Sequence, residues 1–143
     1  MNGQPLILVV EHNLHDLELL NSHLGILNFS CICTKQGVRA VMLAQTHQPD
    51  LILLDTMLSN LSANRVIDDL KHNSKTAAIP IIAVTPLTVV QDDESSPLAG
   101  FDDCITKPYD FNQLEVVISR YIQSSKFFAF SLKIDSRLRT SGN

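Results

Sequence analysis

The sequence predicts an α/β domain in which a five-stranded parallel sheet carries helices on both faces. Short apolar runs, too brief for most helices, alternate along the chain with segments whose apolar residues recur at helical spacing. Five segments of each kind follow one another, and such alternation indicates parallel strands joined by right-handed helical crossovers. Three of the apolar runs end in a polar residue, at the sheet edge where open parallel sheets bind ligands.

The predicted strands are the apolar runs at 6–10, 30–34, 51–54, 79–84 and 104–106. Residues 51–54 are wholly apolar and follow Pro49 and Asp50, which is typical of a strand buried on both faces. The predicted helices are 16–27, 37–47, 64–73, 92–98 and 110–122. Pro97 falls inside the fourth of these and should shorten or kink it.

Helical spacing also predicts which residues of the helices face the core. The expected inward residues are Leu17, Leu20, Leu24 and Leu27 in the first helix, Val38, Val41, Met42 and Ala44 in the second, and Val66, Ile67 and Leu70 in the third.

Length and composition suit one globular domain. The chain has 143 residues, of which 45% are hydrophobic and 18% charged. A formal charge of −4 argues against broad nucleic-acid binding, which needs basic surface. No apolar run approaches the roughly 18 residues of a membrane span, and no signal-type segment opens the chain. We therefore expect a cytoplasmic protein without membrane or nucleic-acid contacts.

The polar residues at the strand ends are Asp55, Thr85 and Lys107. The carboxyl ends of parallel strands meet at one edge of a sheet, so these side chains are expected to lie together. A carboxylate, a hydroxyl and an ammonium in one place form a compact site for an anion. As separate residues they would be an ordinary strand-end Asp, a capping Thr and a surface Lys.

Several motifs in order resemble the receiver domains of two-component response regulators, from about residue 6 to residue 122. They are ILVVE at 7–11, PDLILLD at 49–55, IPIIAVT at 79–85, AGFDD at 99–103 and TKP at 106–108. The resemblance implies a flavodoxin-like sheet of order 2-1-3-4-5 with five helices, formed by residues 1–123.

The resemblance also implies a chemistry for the three strand ends. Asp55 would accept a phosphoryl group from the phosphohistidine of a histidine kinase or histidine phosphotransfer protein. Thr85 would donate to one phosphoryl oxygen and Lys107 would neutralise another. The chain would then be a signalling domain and not an enzyme, beyond its own phosphorylation and dephosphorylation. The bond between Lys107 and Pro108 is predicted to be cis.

A metal site is implied next to Asp55. In the family Mg²⁺ is held by carboxylates and one carbonyl, here matched by Glu11, Asp55 and the carbonyl of Met57. The family usually has two consecutive acidic residues where this chain has Glu11 and His12. An imidazole at the second position should weaken Mg²⁺ binding. Either a softer ion such as Mn²⁺ or Zn²⁺ is accepted, or His12 is not a ligand.

Two positions that would transmit the signal also differ from the family. Cys104 stands three positions before Lys107, where an aromatic switch residue is usual, and Pro86 stiffens the loop after Thr85. Output is expected through contact with a downstream protein or a second copy, on the face formed by the fourth helix, fifth strand and fifth helix.

Residues 124–143 lie outside the resemblance. They are rich in basic residues, and the stretch 128–135 alternates apolar and polar residues as a strand does. Two interpretations of these residues are kept, an added strand and a partly ordered tail.

Three other functions compete with the receiver. A pseudo-receiver would use the same fold for protein interaction without phosphorylation, in keeping with His12, Pro86 and Cys104. A phosphatase of the haloacid dehalogenase type needs a second acid two residues after Asp55, where Met57 stands. A flavodoxin-like FMN site needs a phosphate-cradling Ser/Thr/Gly loop after Val10, which the chain lacks.

Overall fold

A computed structural model describes residues 3–58, 63–86 and 100–122, which form a parallel sheet covered by helices on both faces. The strands are β1 (Leu6–Val10), β2 (Ser30–Thr34), β3 (Leu51–Asp55), β4 (Ile81–Pro86) and β5 (Asp103–Lys107). The helices within these residues are α1 (Leu14–Ile26), α2 (Gly37–His47), α3 (Ala63–Lys71) and α4 (Phe111–Ser119).

The order of the sheet is β2-β1-β3-β4-β5 with every pairing parallel, which confirms the predicted flavodoxin-like fold. The helix predicted at 110–122 corresponds to α4. The helix predicted at 92–98 and the extension at 124–143 lie outside the described residues. No helix within the described residues is long and apolar enough to cross a membrane.

Alternate residues of the central strands supply two cores, one on each face of the sheet. The first core joins Ile7, Val9, Leu51, Leu53, Ile82, Val84 and Ile105 to α1 and α4. The second joins Leu8, Val10, Ile52, Leu54, Ile81 and Ala83 to α2 and α3. Both faces of β3 are buried, which explains its unbroken apolar sequence.

The inward residues of α1 and α3 are largely as predicted, whereas only two of the four predicted for α2, Val41 and Ala44, pack towards the core. Val38 and Met42 are 65% and 52% exposed, and the buried residues of α2 are Gly37, Ala40 and Ala44. The helix lies against the sheet through small side chains that let the two backbones approach closely. Val38 and Met42 lie on its outer side, whereas Val41 and Leu43 pack partly against the core.

The N-cap of α1 determines where this helix begins relative to the carboxyl edge of the sheet. Asn13 caps α1, because its Oδ1 accepts a hydrogen bond from the backbone N–H of Asp16 at 3.0 Å. This cap starts the helix immediately after β1, so the first turn of α1 lies beside the edge.

The AGFDD motif is explained by the turn that leads into β5. Gly100 has a φ of +94°, and a Cβ there would lie 3.3 Å from Cγ2 of Ile67. Phe101 is buried, and Asp102 pairs with Ile81 through both its backbone N–H and its carboxylate, each at 2.8 Å. The motif therefore fixes where β5 enters the sheet.

Candidate functional site

The three polar strand ends predicted from the sequence lie at one edge of the sheet. Asp55 ends β3, Thr85 is the penultimate residue of β4, and Lys107 ends β5. In the parallel register Asp55 faces Val84 and Lys107 faces Pro86, so the three side chains come from adjacent strands. Asp55 and Thr85 are fully buried, and the Lys107 side chain is 20% exposed.

The Asp55 carboxylate has donors on both oxygens. Its Oδ1 accepts a hydrogen bond from the backbone N–H of Met57 at 2.9 Å. Its Oδ2 accepts from the backbone N–H of His12 at 3.3 Å and also contacts the ring Nδ1 of His12. Burial acts to raise the pKa of Asp55, but these donors and the charge of Lys107 together hold it below its usual value. The carboxylate is therefore ionised at neutral pH, as a nucleophile must be.

Glu11 is a second buried carboxylate, directly after β1. Its Oε1 lies 3.0 Å from Nζ of Lys107, and its Oε2 accepts from the backbone N–H of Asn13 at 3.2 Å. The same Oε2 lies 3.5 Å from Nδ1 of His12. Burial, with the charge of Asp55, raises the pKa of Glu11 despite the contact with Lys107.

Lys107 is held by two carboxylates. Its Nζ donates to Oδ2 of Asp16 at 3.0 Å and forms an ion pair with Glu11. Burial acts to lower the pKa of Lys107, but Asp16 and Glu11 together raise it. The side chain therefore keeps its positive charge at neutral pH. The peptide bond between Lys107 and Pro108 is cis, as predicted.

The Thr85 hydroxyl contacts a second threonine. Its Oγ1 accepts a hydrogen bond from Oγ1 of Thr56 at 3.0 Å, and Thr56 follows Asp55 directly in the chain. Since Thr56 donates this bond, the Thr85 hydroxyl keeps its own hydrogen for a second partner.

Two residues of the site, Asp16 and Thr56, are not predicted by the sequence patterns. Helical spacing places Asp16 only at the start of the first helix, and none of the motifs includes Thr56. The one signal for Asp16 is its place in the first turn of a helix that follows a carboxyl strand end, where a carboxylate is favourable. The contact of Thr56 with Thr85 joins β3 to β4 and has no signature in the local sequence.

One group of metal-ligating side chains occurs within the described residues, and it consists of Glu11, His12 and Asp55. One ligand atom from each lies within 4.8 Å of the others. Mg²⁺ prefers an octahedral set of oxygen atoms, so the imidazole of His12 does not fit this ion well. Met57 lies next to the group through its backbone N–H, and a role for its carbonyl stays a prediction.

The positions expected to carry the switch are in place but unusual. Cys104 is half-buried opposite Ala83 and packs against the core on the α2 and α3 face. Pro86 is the last residue of β4. A small thiol at this place cannot repeat the swing of an aromatic ring between buried and exposed positions.

A cleft of about 390 Å³ opens beside Lys107, between α1 and the loop after β5. Its lining residues are His15, Asp16, Leu19, Pro86, Lys107, Pro108 and Tyr109. Leu14, on the same first turns of α1, is 54% exposed. The anionic centre is thus bordered by an accessible surface with apolar residues.

Comparison with known proteins agrees with the motifs. The family model for the response regulator receiver domain matches residues 7–119. The polar-differentiation response regulator DivK of Brucella anthropi is 30% identical over 122 residues, which are 85% of this chain and 94% of DivK.

Two solved structures are similar in fold and sequence. The receiver domain of the sensor histidine kinase PA1611 from Pseudomonas aeruginosa PAO1, with a magnesium ion coordinated in its active site cleft, is 28% identical with a TM-score of 0.77. The match covers 85% of this chain and all (100%) of that domain. The receiver domain of a signal transduction histidine kinase from Syntrophus aciditrophicus is 25% identical, with a TM-score of 0.73 over 83% of this chain and 90% of that one.

Proposed function

The chain belongs to the family of response regulator receiver domains, and we propose that it accepts a phosphoryl group on Asp55 and signals through altered protein contacts. The observation that carries this proposal is the convergence of Asp55, Thr85 and Lys107 from three adjacent strand ends. Coincidence does not readily bring a buried carboxylate, a buried hydroxyl and a fixed ammonium to one edge.

The proposed reaction needs little covalent chemistry from the protein. An oxygen of Asp55 forms a bond to phosphorus while the bond from phosphorus to the donor's imidazole nitrogen breaks, and the imidazole leaves with that electron pair. Lys107 and the Thr85 hydroxyl stabilise the charge on the phosphoryl oxygens. Because the residues fit Mg²⁺ poorly, no step of this account depends on that ion.

Lys107 is already positioned for this role. Its ammonium is shared between Glu11 and Asp16, and its charge already lowers the pKa of Asp55. An incoming phosphoryl group brings negative charge that competes with Asp16, the more exposed of the two partners. We expect Lys107 to turn from Asp16 towards the phosphoryl group while it keeps its contact with buried Glu11.

For the phosphoryl donor we propose a histidine kinase or a histidine phosphotransfer protein that docks on α1 and the loop after β5. The cleft beside Lys107 and the exposed side chains of Leu14 and Leu19 offer apolar contact next to the ammonium of Lys107. Such a donor places the chain in the cytoplasm, where ATP supplies the phosphohistidine.

For output we propose the face that contains β5 and α4, either towards a downstream protein or towards a second copy. β5 is the last strand of the described sheet, and Val116 of α4 is 52% exposed. Arg120 and Tyr121 both contact Asp103 at the start of β5, at 2.8 and 3.1 Å, so the face has a defined polar end. The chain turns over no separate substrate in this account.

Acetyl phosphate with a divalent ion tests the phosphoacceptor directly. We expect intact-mass spectrometry to show one added phosphoryl group, which Asp55→Asn abolishes and the exposed control Asp68→Asn leaves unchanged. Thr85→Ala should slow the reaction roughly 10²-fold, whereas Thr85→Ser, which keeps the hydroxyl, should restore it. An adduct that persists in Asp55→Asn would contradict the assignment.

A pseudo-receiver is the second candidate, and one observation favours it. The imidazole of His12 occupies Oδ2 of Asp55, the oxygen that would otherwise face a metal ion or a phosphoryl group. In that case the natural chain would show no adduct with any phosphoryl donor. It would also bind its partner protein as tightly as the Asp55→Asn variant does.

A further inference from the structure

Asp55 and two neighbouring side chains, Glu11 and His12, form a set of donors that differs from the all-oxygen set expected of the family. Resting on the phosphoacceptor site proposed above, we propose that Glu11, His12 and Asp55 bind a late first-row divalent ion such as Zn²⁺ in preference to Mg²⁺. The cation would then be selected by the imidazole of His12, which replaces a carboxylate.

The orientation of the individual atoms supports a shared ligand. Glu11 directs Oε1 to Lys107, which leaves Oε2 on the side of His12, 3.5 Å from Nδ1. Asp55 uses Oδ1 for the N–H of Met57, which leaves Oδ2 in contact with the same Nδ1. One atom from each residue thus faces a common centre, and small shifts separate them to the spacing of ligands around one ion.

The chemistry of these atoms distinguishes between cations. Mg²⁺ demands a near-octahedral oxygen shell, and an imidazole nitrogen in that shell is unfavourable. Imidazole suits Zn²⁺ and neighbouring ions, for which one His with two carboxylates is an acceptable set of three protein ligands. Three protein ligands leave further positions open, and the His12 side chain is 39% exposed, so water can complete the shell.

The local charge also favours a divalent cation. The buried carboxylates of Glu11 and Asp55 each have an oxygen beside Nδ1 of His12, so a cation at this centre would lie between two negative charges. Lys107 compensates Glu11 from the far oxygen and is itself shared with Asp16. A cation between Oε2 and Oδ2 would neutralise both carboxylates without displacing Lys107.

Cobalt binding gives a readout that does not depend on phosphorylation. Co²⁺ titrated into the full chain should produce visible d–d absorption that Zn²⁺ removes at near-equal concentration and Mg²⁺ removes only in large excess. The matched variants are His12→Gln, which should weaken Co²⁺ binding by about tenfold or more, and His47→Gln, an exposed control that should not. His12→Asp restores an all-oxygen set and should reverse the preference towards Mg²⁺.

Two outcomes would overturn the proposal. One is wild-type protein in which Mg²⁺ displaces Co²⁺ as readily as Zn²⁺ does. The other is Co²⁺ absorption that survives His12→Gln, or that disappears in Cys33→Ser together with a thiolate charge-transfer band, which would place the ion at the cysteines.

The titration also separates this inference from the proposed function, because it uses no phosphoryl donor. A chain that forms the Asp55 adduct but shows no preference for Co²⁺ or Zn²⁺ over Mg²⁺ keeps its function and loses this metal assignment. A chain that shows the preference but forms no adduct keeps the metal site and loses the phosphoacceptor.

Discussion

At the scale of single residues, the site is a balance of two buried carboxylates against one ammonium and one imidazole. The two oxygens of each carboxylate have different partners. One oxygen of Glu11 contacts Lys107 and the other lies near His12, while one oxygen of Asp55 accepts from Met57 and the other contacts His12. Removing any one member leaves a buried charge with fewer partners, which costs more than the contact itself contributes. Stability and function therefore depend on the same atoms.

Lys107→Met tests this dependence by removing the ammonium while keeping an unbranched apolar stem. Buried Glu11 loses its ion-pair partner, so the free energy of unfolding should fall by about 1.5–3 kcal/mol. Urea unfolding followed by circular dichroism measures it. Lys35→Met, at an exposed lysine, is the control and should change stability by less than about 0.5 kcal/mol. Equal effects of the two substitutions would show that Lys107 does not compensate a buried charge.

Glu11→Gln should alter how stability depends on pH. Burial raises the pKa of Glu11 above 4.5, so from 4.5 upwards the folded protein retains a proton that the unfolded chain loses. The contribution of Glu11 to stability therefore decreases as pH rises from 4.5 through the raised pKa. Glutamine lacks this loss, so the stability of the variant relative to the natural protein should increase with pH across that window.

Urea unfolding at a series of pH values measures this difference between the two proteins. A difference that stays constant over the window would mean that Glu11 has an ordinary pKa. If the stability of the variant relative to the natural protein decreases with rising pH, Lys107 overcomes burial and lowers the pKa of Glu11.

At the scale of elements, the strands are more predictable than the faces of the helices. A parallel strand buried on both sides requires an unbroken apolar run, and β1 and β3 lie where such runs lie, whereas β2 is an edge strand with an exposed Cys33. β4 begins at Ile81 and not at residue 79 as predicted, since the apolar run continues upstream of the first paired residue. In α2 the predicted residues Val41 and Ala44 do pack towards the core, but Val38 and Met42 are exposed, because close contact with the sheet selects small residues such as Ala40.

Two glycines offer a matched test of how turns and helices hold the site. Gly100→Ala places a Cβ against Ile67 at a φ of +94°, so it should destabilise the protein by about 1–2 kcal/mol. Gly25→Ala lies near the end of α1 with open space around its Cβ, so it should stabilise by up to about 0.5–1 kcal/mol. Thermal unfolding measures both. The same sign for the two variants would contradict the backbone assignment at Gly100.

At the scale of the whole molecule, the fold and the three strand ends were predictable, whereas their partners were not. Alternating apolar patterns determine a parallel sheet, and a parallel sheet brings the ends of β3, β4 and β5 to one edge. The contacts of Lys107 with Asp16 and of Thr85 with Thr56 depend on side chains meeting across elements. Only the folded chain shows that His12 reaches Asp55 and Glu11 together.

The most direct test of the account is to locate the phosphoryl group on the full chain. After treatment with acetyl phosphate, borohydride reduces an acyl phosphate to the corresponding alcohol, and peptide mass spectrometry then identifies the modified position. We expect homoserine at position 55 and nowhere else. Modification of Glu11, a phosphoryl group retained on His12, or an unmodified peptide around Asp55 would contradict the central claim that Asp55 is the phosphoacceptor.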